Sequence, residues 1–220
     1  MSDPRQIGLF DDPTADVELG PGARVLKGFV MAESRVLLAE ITRIEAAAPF
    51  RHLVTPGGHT MSVAMTNCGS CGWVSDSRGY RYDPIDPDSG QPWPAMPPAF
   101  CDLARRAAEQ GGFAEFAPDA CLINRYKPGA KLSLHQDKDE EDYSAPIVSV
   151  SLGLDAVFQF GGLLRGERAA RIALQHGDVV VWGGVDRLRF HGVLPLKEGA
   201  HPLLGEQRIN LTFRKAGVAG

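Results

Sequence analysis

His135 and Asp137 stand two residues apart in Leu132-Ser-Leu-His-Gln-Asp137. Successive side chains of a strand point to opposite faces, so Ser133, His135 and Asp137 would share one face. An imidazole and a carboxylate placed this way can reach one metal ion. A second histidine would complete the two-His, one-carboxylate set that leaves positions open on Fe(II) for substrate and oxygen. A His-x-Asp pair alone is more often a surface hydrogen bond, so the third ligand decides. The candidates after Asp137 are His176, His191 and His201. His176 sits in a His-Gly-Asp turn and His201 in a loop after Gly-Ala. His191 lies in Leu188-Arg-Phe-His-Gly-Val193, which alternates as a strand and carries a glycine that permits close approach. The expected triad is His135, Asp137 and His191.

Two further stretches could serve such a centre. Arg208-Ile-Asn-Leu-Thr-Phe-Arg214 alternates, with Ile209, Leu211 and Phe213 on one face and Arg208, Asn210, Thr212 and Arg214 on the other. A solvated strand face is the bland reading. The sharper one is a pocket wall for a dicarboxylate, because guanidinium groups grip carboxylates bidentately and Asn and Thr add neutral hydrogen bonds. Asn124 and Tyr126 also share a strand face, ahead of a Lys-Pro-Gly turn.

These residues need a scaffold, and 220 residues suffice for one domain with a core. Apolar residues recur at helical spacing over 31–48, and Pro49 stops that helix. A second helix is expected over 97–110, closed by Gly111-Gly112. From about residue 119 the pattern turns to short strands near 119–126, 131–137, 147–153, 156–161, 171–175, 178–182, 187–193 and 207–214, which suggests a sandwich or jelly roll. Residues 1–20 are polar and acidic and read as a flexible N-terminal arm.

Residues 50–96 hold Trp73, Tyr80 and Tyr82 among Gly, Ser, Asp and Arg. Aromatic rings there could stack on nucleobases while nearby cations hold phosphates, although aromatics are more often core. The run Asp137-Lys-Asp-Glu-Glu-Asp142 would, beyond its first member, be a solvated loop. Cys68 and Cys71 lack the second cysteine pair of a zinc ribbon and are read, with Cys101 and Cys121, as reduced bystanders. A net charge of -4 argues against a strongly basic nucleic-acid coat protein. No secretion signal and no membrane-spanning run is visible, so the chain reads as cytoplasmic.

Taken jointly, Asn124-x-Tyr126, His135-x-Asp137, His191 and Arg208-x-Asn210-x-x-x-Arg214 resemble the AlkB family of Fe(II)- and 2-oxoglutarate-dependent nucleic-acid dealkylases. Thr55–Asn67, Pro118–Tyr126, Leu134–Glu140 and His176–Gly184 carry the likeness too, over roughly residues 20–216. The resemblance implies a mainly β fold with supporting helices. Its centre would be a double-stranded β-helix (jelly roll) over 119–216, within a single domain spanning 21–220, under a nucleotide-recognition lid over 50–96. It implies Fe(II) on His135, Asp137 and His191, with 2-oxoglutarate and O2 as co-substrates. Asn124, Arg125, Tyr126, Arg208, Asn210, Thr212 and Arg214 would bind 2-oxoglutarate. Arg214 would clamp the far carboxylate, and Arg208 would lie closer to the ketoacid end.

The implied reaction is oxidative demethylation of bases such as 1-methyladenine and 3-methylcytosine, releasing formaldehyde, succinate and CO2. The implied partner is single-stranded or flipped-base DNA, with RNA as a second substrate, acted on by a monomer. Trp73 would stack on the base and His191 would face its other side. Tyr80, Arg81 and Tyr82 would hold the nucleic-acid backbone. Asp139 would favour a cationic base, and Arg165 would line the pocket.

Overall fold

The structure, a computed structural model, describes residues 15–217. The chain enters through strands β1 (Val17–Gly20) and β2 (Ala23–Leu26), then helix α1 (Ser34–Ala47). Strands β3 (Arg51–Val54) and β4 (Thr60–Gly69) follow, then the hairpin β5 (Gly72–Asp76) and β6 (Gly79–Asp83), and helix α2 (Pro98–Gln110). Eight strands complete the chain: β7 (Ala120–Tyr126), β8 (Leu132–His135), β9 (Ile147–Gly153), β10 (Ala156–Phe160), β11 (Ala170–Leu174), β12 (Val179–Trp182), β13 (His191–Val193) and β14 (Arg208–Arg214).

A major sheet has the order β1-β2-β12-β9-β14-β7-β4-β3, and a minor sheet the order β11-β10-β13-β8. One apolar cluster joins Val25, Leu122 and Trp182 of the major sheet to Phe158, Phe160 and Val193 of the minor sheet, so the two sheets face each other as in a jelly roll. The helices cover the other face of the major sheet, where Leu37, Ile41, Phe100 and Leu103 pack with Val150, Leu211 and Phe213. The ring of Phe100 meets that of Phe213 edge-on at 5.8 Å.

Strand β14 shows how sequence becomes site. It is buried along its whole length between β7 and β9. Ile209, Leu211 and Phe213 enter the helix-side core, while Arg208, Asn210, Thr212 and Arg214 face the space between the sheets. The solvated-face reading is excluded, since Arg208 is 1% exposed and Arg214 6%.

Both helices form close to their expected spans. Pro98 opens α2, where a missing N–H costs nothing, and Gly111 follows its end. The loose arm expected over 1–20 is corrected at its end: Val17–Gly20 pairs with β2, where Val17 lies opposite Val25. Residues 1–14 lie outside those described. Residues 50–96, expected as one lid, do not form a single separate unit. Strands β3 and β4 join the major sheet through β7, and only the β5–β6 hairpin forms a separate two-stranded sheet. The strand expected to 137 ends at His135, and that expected over 187–193 begins only at His191. A short helical turn at Gly184–Asp186 consumes the preceding chain.

Candidate active site

Pairing of β8 with β13 sets His135 directly opposite His191. Gly192 makes this possible, because a Cβ there would sit 2.6 Å from the Leu132 carbonyl oxygen. The imidazole centroids are 4.4 Å apart. Asp137, just past the end of β8, turns its Oδ1 to 3.5 Å from His135 Nε2 and its Oδ2 to 3.7 Å from His191 Nε2. The three ligand atoms all lie within 4.8 Å of one another, and no other such group occurs among the described residues.

The histidines are prepared for a metal. Nδ1 of His135 donates to the Ser133 carbonyl at 2.9 Å, and Nδ1 of His191 to the Arg189 carbonyl at 3.0 Å. Those bonds fix the tautomer that leaves Nε2 free to ligate. Burial pushes the His191 pKa down to about 4, helped by His135 alongside. For His135 burial acts in the same direction, but the hydrogen bond and charge of Asp137 prevail and raise it. Burial opposes ionisation of Asp137, yet Arg214 and the two histidines hold its carboxyl well below the usual range.

Beside the triad lies a cavity of about 860 Å³, walled by the polar face of β14 and by Asn124 and Tyr126 of β7. The two arginines of β14 sit at opposite ends. They are six residues apart on one strand, roughly 20 Å between backbones. Arg214 donates twice to Asp137 Oδ2, at 2.7 and 2.9 Å, and so stands at the metal end. Arg208 stands at the far end, over the Tyr126 ring at 5.0 Å, with Nη2 donating to Ser151 Oγ at 2.9 Å. Its Nε and Nη1 have no partner, and neither has Asn124 Oδ1. A buried guanidinium without a counter-anion is costly, so this end of the cavity fits a carboxylate. Between the ends, Asn210 accepts from Asn124 Nδ2 at 3.2 Å and from Thr212 Oγ1 at 2.9 Å, which locks that wall. The expected placement is therefore reversed along the strand: Arg214 stands at the triad and Arg208 at the far end of the cavity.

The mouth of the cavity is covered by the β5–β6 hairpin. Trp73 and Tyr80 stack at 5.5 Å with planes 13° apart. Asp139 accepts from the Trp73 indole Nε1 at 2.8 Å. Arg165, across the mouth, holds its guanidinium 5.1 Å over the Phe190 ring, and both residues line the cavity.

Residues 22–214 match the 2OG-Fe(II) oxygenase superfamily. The chain is 59% identical to the alpha-ketoglutarate-dependent dioxygenase AlkB of Escherichia coli (strain K12), over 96% of this chain and 98% of that protein. The chain belongs to the AlkB family. It is an Fe(II)- and 2-oxoglutarate-dependent dioxygenase, and the His135, Asp137 and His191 cluster is a donor set that suits Fe(II). It is also 32% identical to the human nucleic acid dioxygenase ALKBH1, over 58% of this chain and 33% of that protein. The solved structure of OsALKBH1 superposes with a TM-score of 0.80 at 30% identity, covering 91% of this chain and all of that one.

Two expected contacts of this AlkB-family site are corrected by strand alternation, and a third by burial. Arg125 lies between Asn124 and Tyr126 and so points to the opposite face. It pairs with Glu45 of α1 at 2.7 Å and covers the Phe50 ring at 4.2 Å, away from the cavity. Arg81, between Tyr80 and Tyr82, is tied to Asp76 at 3.0 Å and to Asp83 at 3.4 Å instead of facing the mouth. Tyr82 does line the cavity but is buried, and its hydroxyl is spent on Glu140 Oε1 at 2.6 Å.

Two residues that sequence reasoning missed complete this AlkB-family centre. Glu140, expected in the solvated run, is buried against Arg187 at 3.1 Å and Arg214 at 3.4 Å. Arg187 also donates to the carbonyls of Asp137 at 2.8 Å and Ala145 at 3.1 Å, pinning the loop that carries the metal carboxylate. The available signal was faint: Arg187 is one of three charged residues in Val185-Asp-Arg-Leu-Arg-Phe190, ahead of His191, and nothing in the spacing separates it from Asp186 or Arg189. Cys68, Cys71 and Cys121 are buried and free, Cys68 facing Cys121 across β4 and β7. Burial pushes the Cys71 thiol up to about 12.

Proposed function

We propose that this enzyme repairs alkylated DNA by oxidative demethylation of bases such as 1-methyladenine and 3-methylcytosine, with RNA as a second substrate. The observation that carries the reading is a stacked aromatic hairpin with a carboxylate at its edge, directly over the mouth of a triad-bearing cavity. Trp73 offers a π face to a base taken out of its stack, and His191 faces the cavity from the other side. Asp139 presents negative charge, which suits bases made cationic by methylation at a ring nitrogen. Arg165 and Tyr80 are exposed beside the mouth and serve the nucleic-acid backbone.

The bound Fe(II), with 2-oxoglutarate and O2, supplies the oxidation that releases the methyl carbon as formaldehyde and leaves succinate and CO2. The protein's part is positional. His135, Asp137 and His191 would hold the metal through their three clustered ligand atoms. Arg208 and Tyr126 receive the far carboxylate of 2-oxoglutarate. Arg214 steadies Asp137 and would meet the ketoacid end. The stacked hairpin closes the mouth and keeps water from the methyl group. No helix of the described residues is long and apolar enough to cross a membrane. The reading carries with it action as a monomer in the cytoplasm.

The test is succinate and formaldehyde formation with and without methylated single-stranded DNA. Both should rise together when the methylated oligonucleotide is present. Succinate output indifferent to it, with no formaldehyde, would return the enzyme to hydroxylation of some other substrate.

A further inference from the structure

Glu140 takes part in a buried chain of contacts that the reaction as described does not use. It accepts from the Tyr82 hydroxyl at 2.6 Å and from Arg187 Nη2 at 3.1 Å, and its Oε1 lies 3.4 Å from Arg214 Nε. Arg214 in turn donates to Asp137. The side chains of Asp137, Glu140, Arg187 and Arg214 are at most 8% exposed, and Tyr82 is 9% exposed. Tyr82 belongs to the hairpin and is the direct cross-strand partner of Trp73. An unbroken polar path therefore runs from the stacking residue's partner to the metal's carboxylate ligand.

We propose that Tyr82 and Glu140 are positioning residues that couple seating of nucleic acid on the β5–β6 hairpin to the grip of Arg214 on the metal-side end of 2-oxoglutarate. The proposal rests on the nucleic-acid reading above. Along the path the charges alternate: Asp137, Arg214, Glu140, Arg187. When Asp137 donates to a metal it holds Arg214 less strongly, and Glu140 becomes the guanidinium's remaining anionic partner. The Tyr82 hydroxyl fixes the Glu140 oxygen that faces Arg214. A base stacked on Trp73 presses on the strand pair that carries Tyr82, so hairpin position is read at Arg214. Arg187 holds the backbone on both sides of Glu140, so the path transmits displacement instead of absorbing it. Coupling of this kind is reciprocal: whatever DNA does to 2-oxoglutarate affinity, 2-oxoglutarate does to DNA affinity.

The experiment is calorimetric titration of 2-oxoglutarate into protein loaded with Mn(II) in place of Fe(II), with and without a methylated single-stranded oligonucleotide. The readout is the ratio of the two affinities, which needs no turnover. In the native enzyme the oligonucleotide should tighten 2-oxoglutarate about fivefold or more. In Tyr82→Phe and in Glu140→Gln the ratio should fall to about one. Ser75→Ala, on the same hairpin but bonded to the Val54 carbonyl and without a contact to Glu140, should keep the native ratio. Thermal melting shows which variants fold, and if Tyr82→Phe does not, Glu140→Gln carries the test. A native ratio of one, a Tyr82→Phe ratio equal to the native one, or an equal loss in Ser75→Ala would overturn the proposal. Formaldehyde release by the native Fe(II) enzyme is measured in parallel. Release with a ratio of one sinks the coupling and leaves the repair function standing, whereas no release sinks the function and the coupling with it.

Discussion

The indole nitrogen of Trp73 donates to Oδ2 of Asp139 across 2.8 Å, so the stacking surface and the charge beside it are one unit. Sequence alone suggests two independent devices, a ring indifferent to charge and a carboxylate that selects for it. The hydrogen bond changes that expectation, because removing Asp139 also frees the ring.

Asn at position 139 can still accept from the indole but carries no charge, whereas Ala does neither. Asp139→Asn should therefore impair demethylation of cationic 1-methyladenine more than of neutral 3-methylthymine. Asp139→Ala should impair both. A double-mutant cycle with Trp73→Phe on kcat/KM should show a coupling of about 0.5–3 kcal/mol. Strictly additive losses would mean that the bond does not organise the pocket.

Arg208→Ala should raise the 2-oxoglutarate requirement by an amount corresponding to about 2–5 kcal/mol, since it strands a buried carboxylate. Metal affinity should hardly change. Arg214→Ala should weaken both metal and 2-oxoglutarate, because it removes the cation that keeps Asp137 ionised. Arg125→Ala is the control, with 2-oxoglutarate dependence unchanged and stability lowered by about 1 kcal/mol from a part-exposed ion pair and a ring contact. Binding isotherms for metal and for 2-oxoglutarate separate the three. A silent Arg208→Ala would remove it from the far end.

How far the chain could be read follows from what each residue's information depends on. Strand β14 was legible because its alternation is local: three apolar side chains face the helices and four polar ones face the cavity. Its polarity was not. Which arginine meets the metal depends on where Asp137 lands beside the strand, and a sequence reports the face but not the end. Arg125 was misread because its neighbours Asn124 and Tyr126 face the cavity, and period two sends it the other way. Glu140 was hidden by composition. An acidic run reads as solvated, and its partners Tyr82 and Arg187 are 58 and 47 residues away. The metal triad survived such difficulty because a glycine beside a histidine marks close strand approach, and the register then placed His191 opposite His135.

That close approach can be tested at Gly192. A methyl group there would meet the Leu132 carbonyl at 2.6 Å and the Leu134 nitrogen at 3.1 Å, both backbone atoms with little freedom. Gly192→Ala should push β13 from β8 and lift His191 away from Asp137. Metal affinity should drop tenfold or more, which is about 1.4 kcal/mol or above. The helix-side core does not touch the position, so the far-ultraviolet circular dichroism should stay native. Native metal affinity in Gly192→Ala would show that the register tolerates the extra carbon.

The two metal-binding histidines should titrate far apart in the metal-free protein. His191, buried and beside another imidazole, should stay neutral down to a pKa of about 4. His135, bonded to Asp137, should hold its proton to a pH above the ordinary value of 6.5. Acidification from neutral pH therefore charges His135 first, and the metal must displace that proton. Below the raised pKa of His135, metal affinity should fall about tenfold per pH unit, long before His191 is touched. The sign for stability is opposite. A raised folded-state pKa makes the His135–Asp137 pair stabilising below the unfolded value of about 6.5, and that contribution is lost as pH rises through the folded value. Metal-free protein should thus gain stability from this pair on mild acidification, while the metal-loaded protein loses it. Imidazole resonances followed by NMR across pH 4–8, with His135→Asn for assignment, decide the point; a first proton taken up at His191 would contradict the electrostatics assigned to the site.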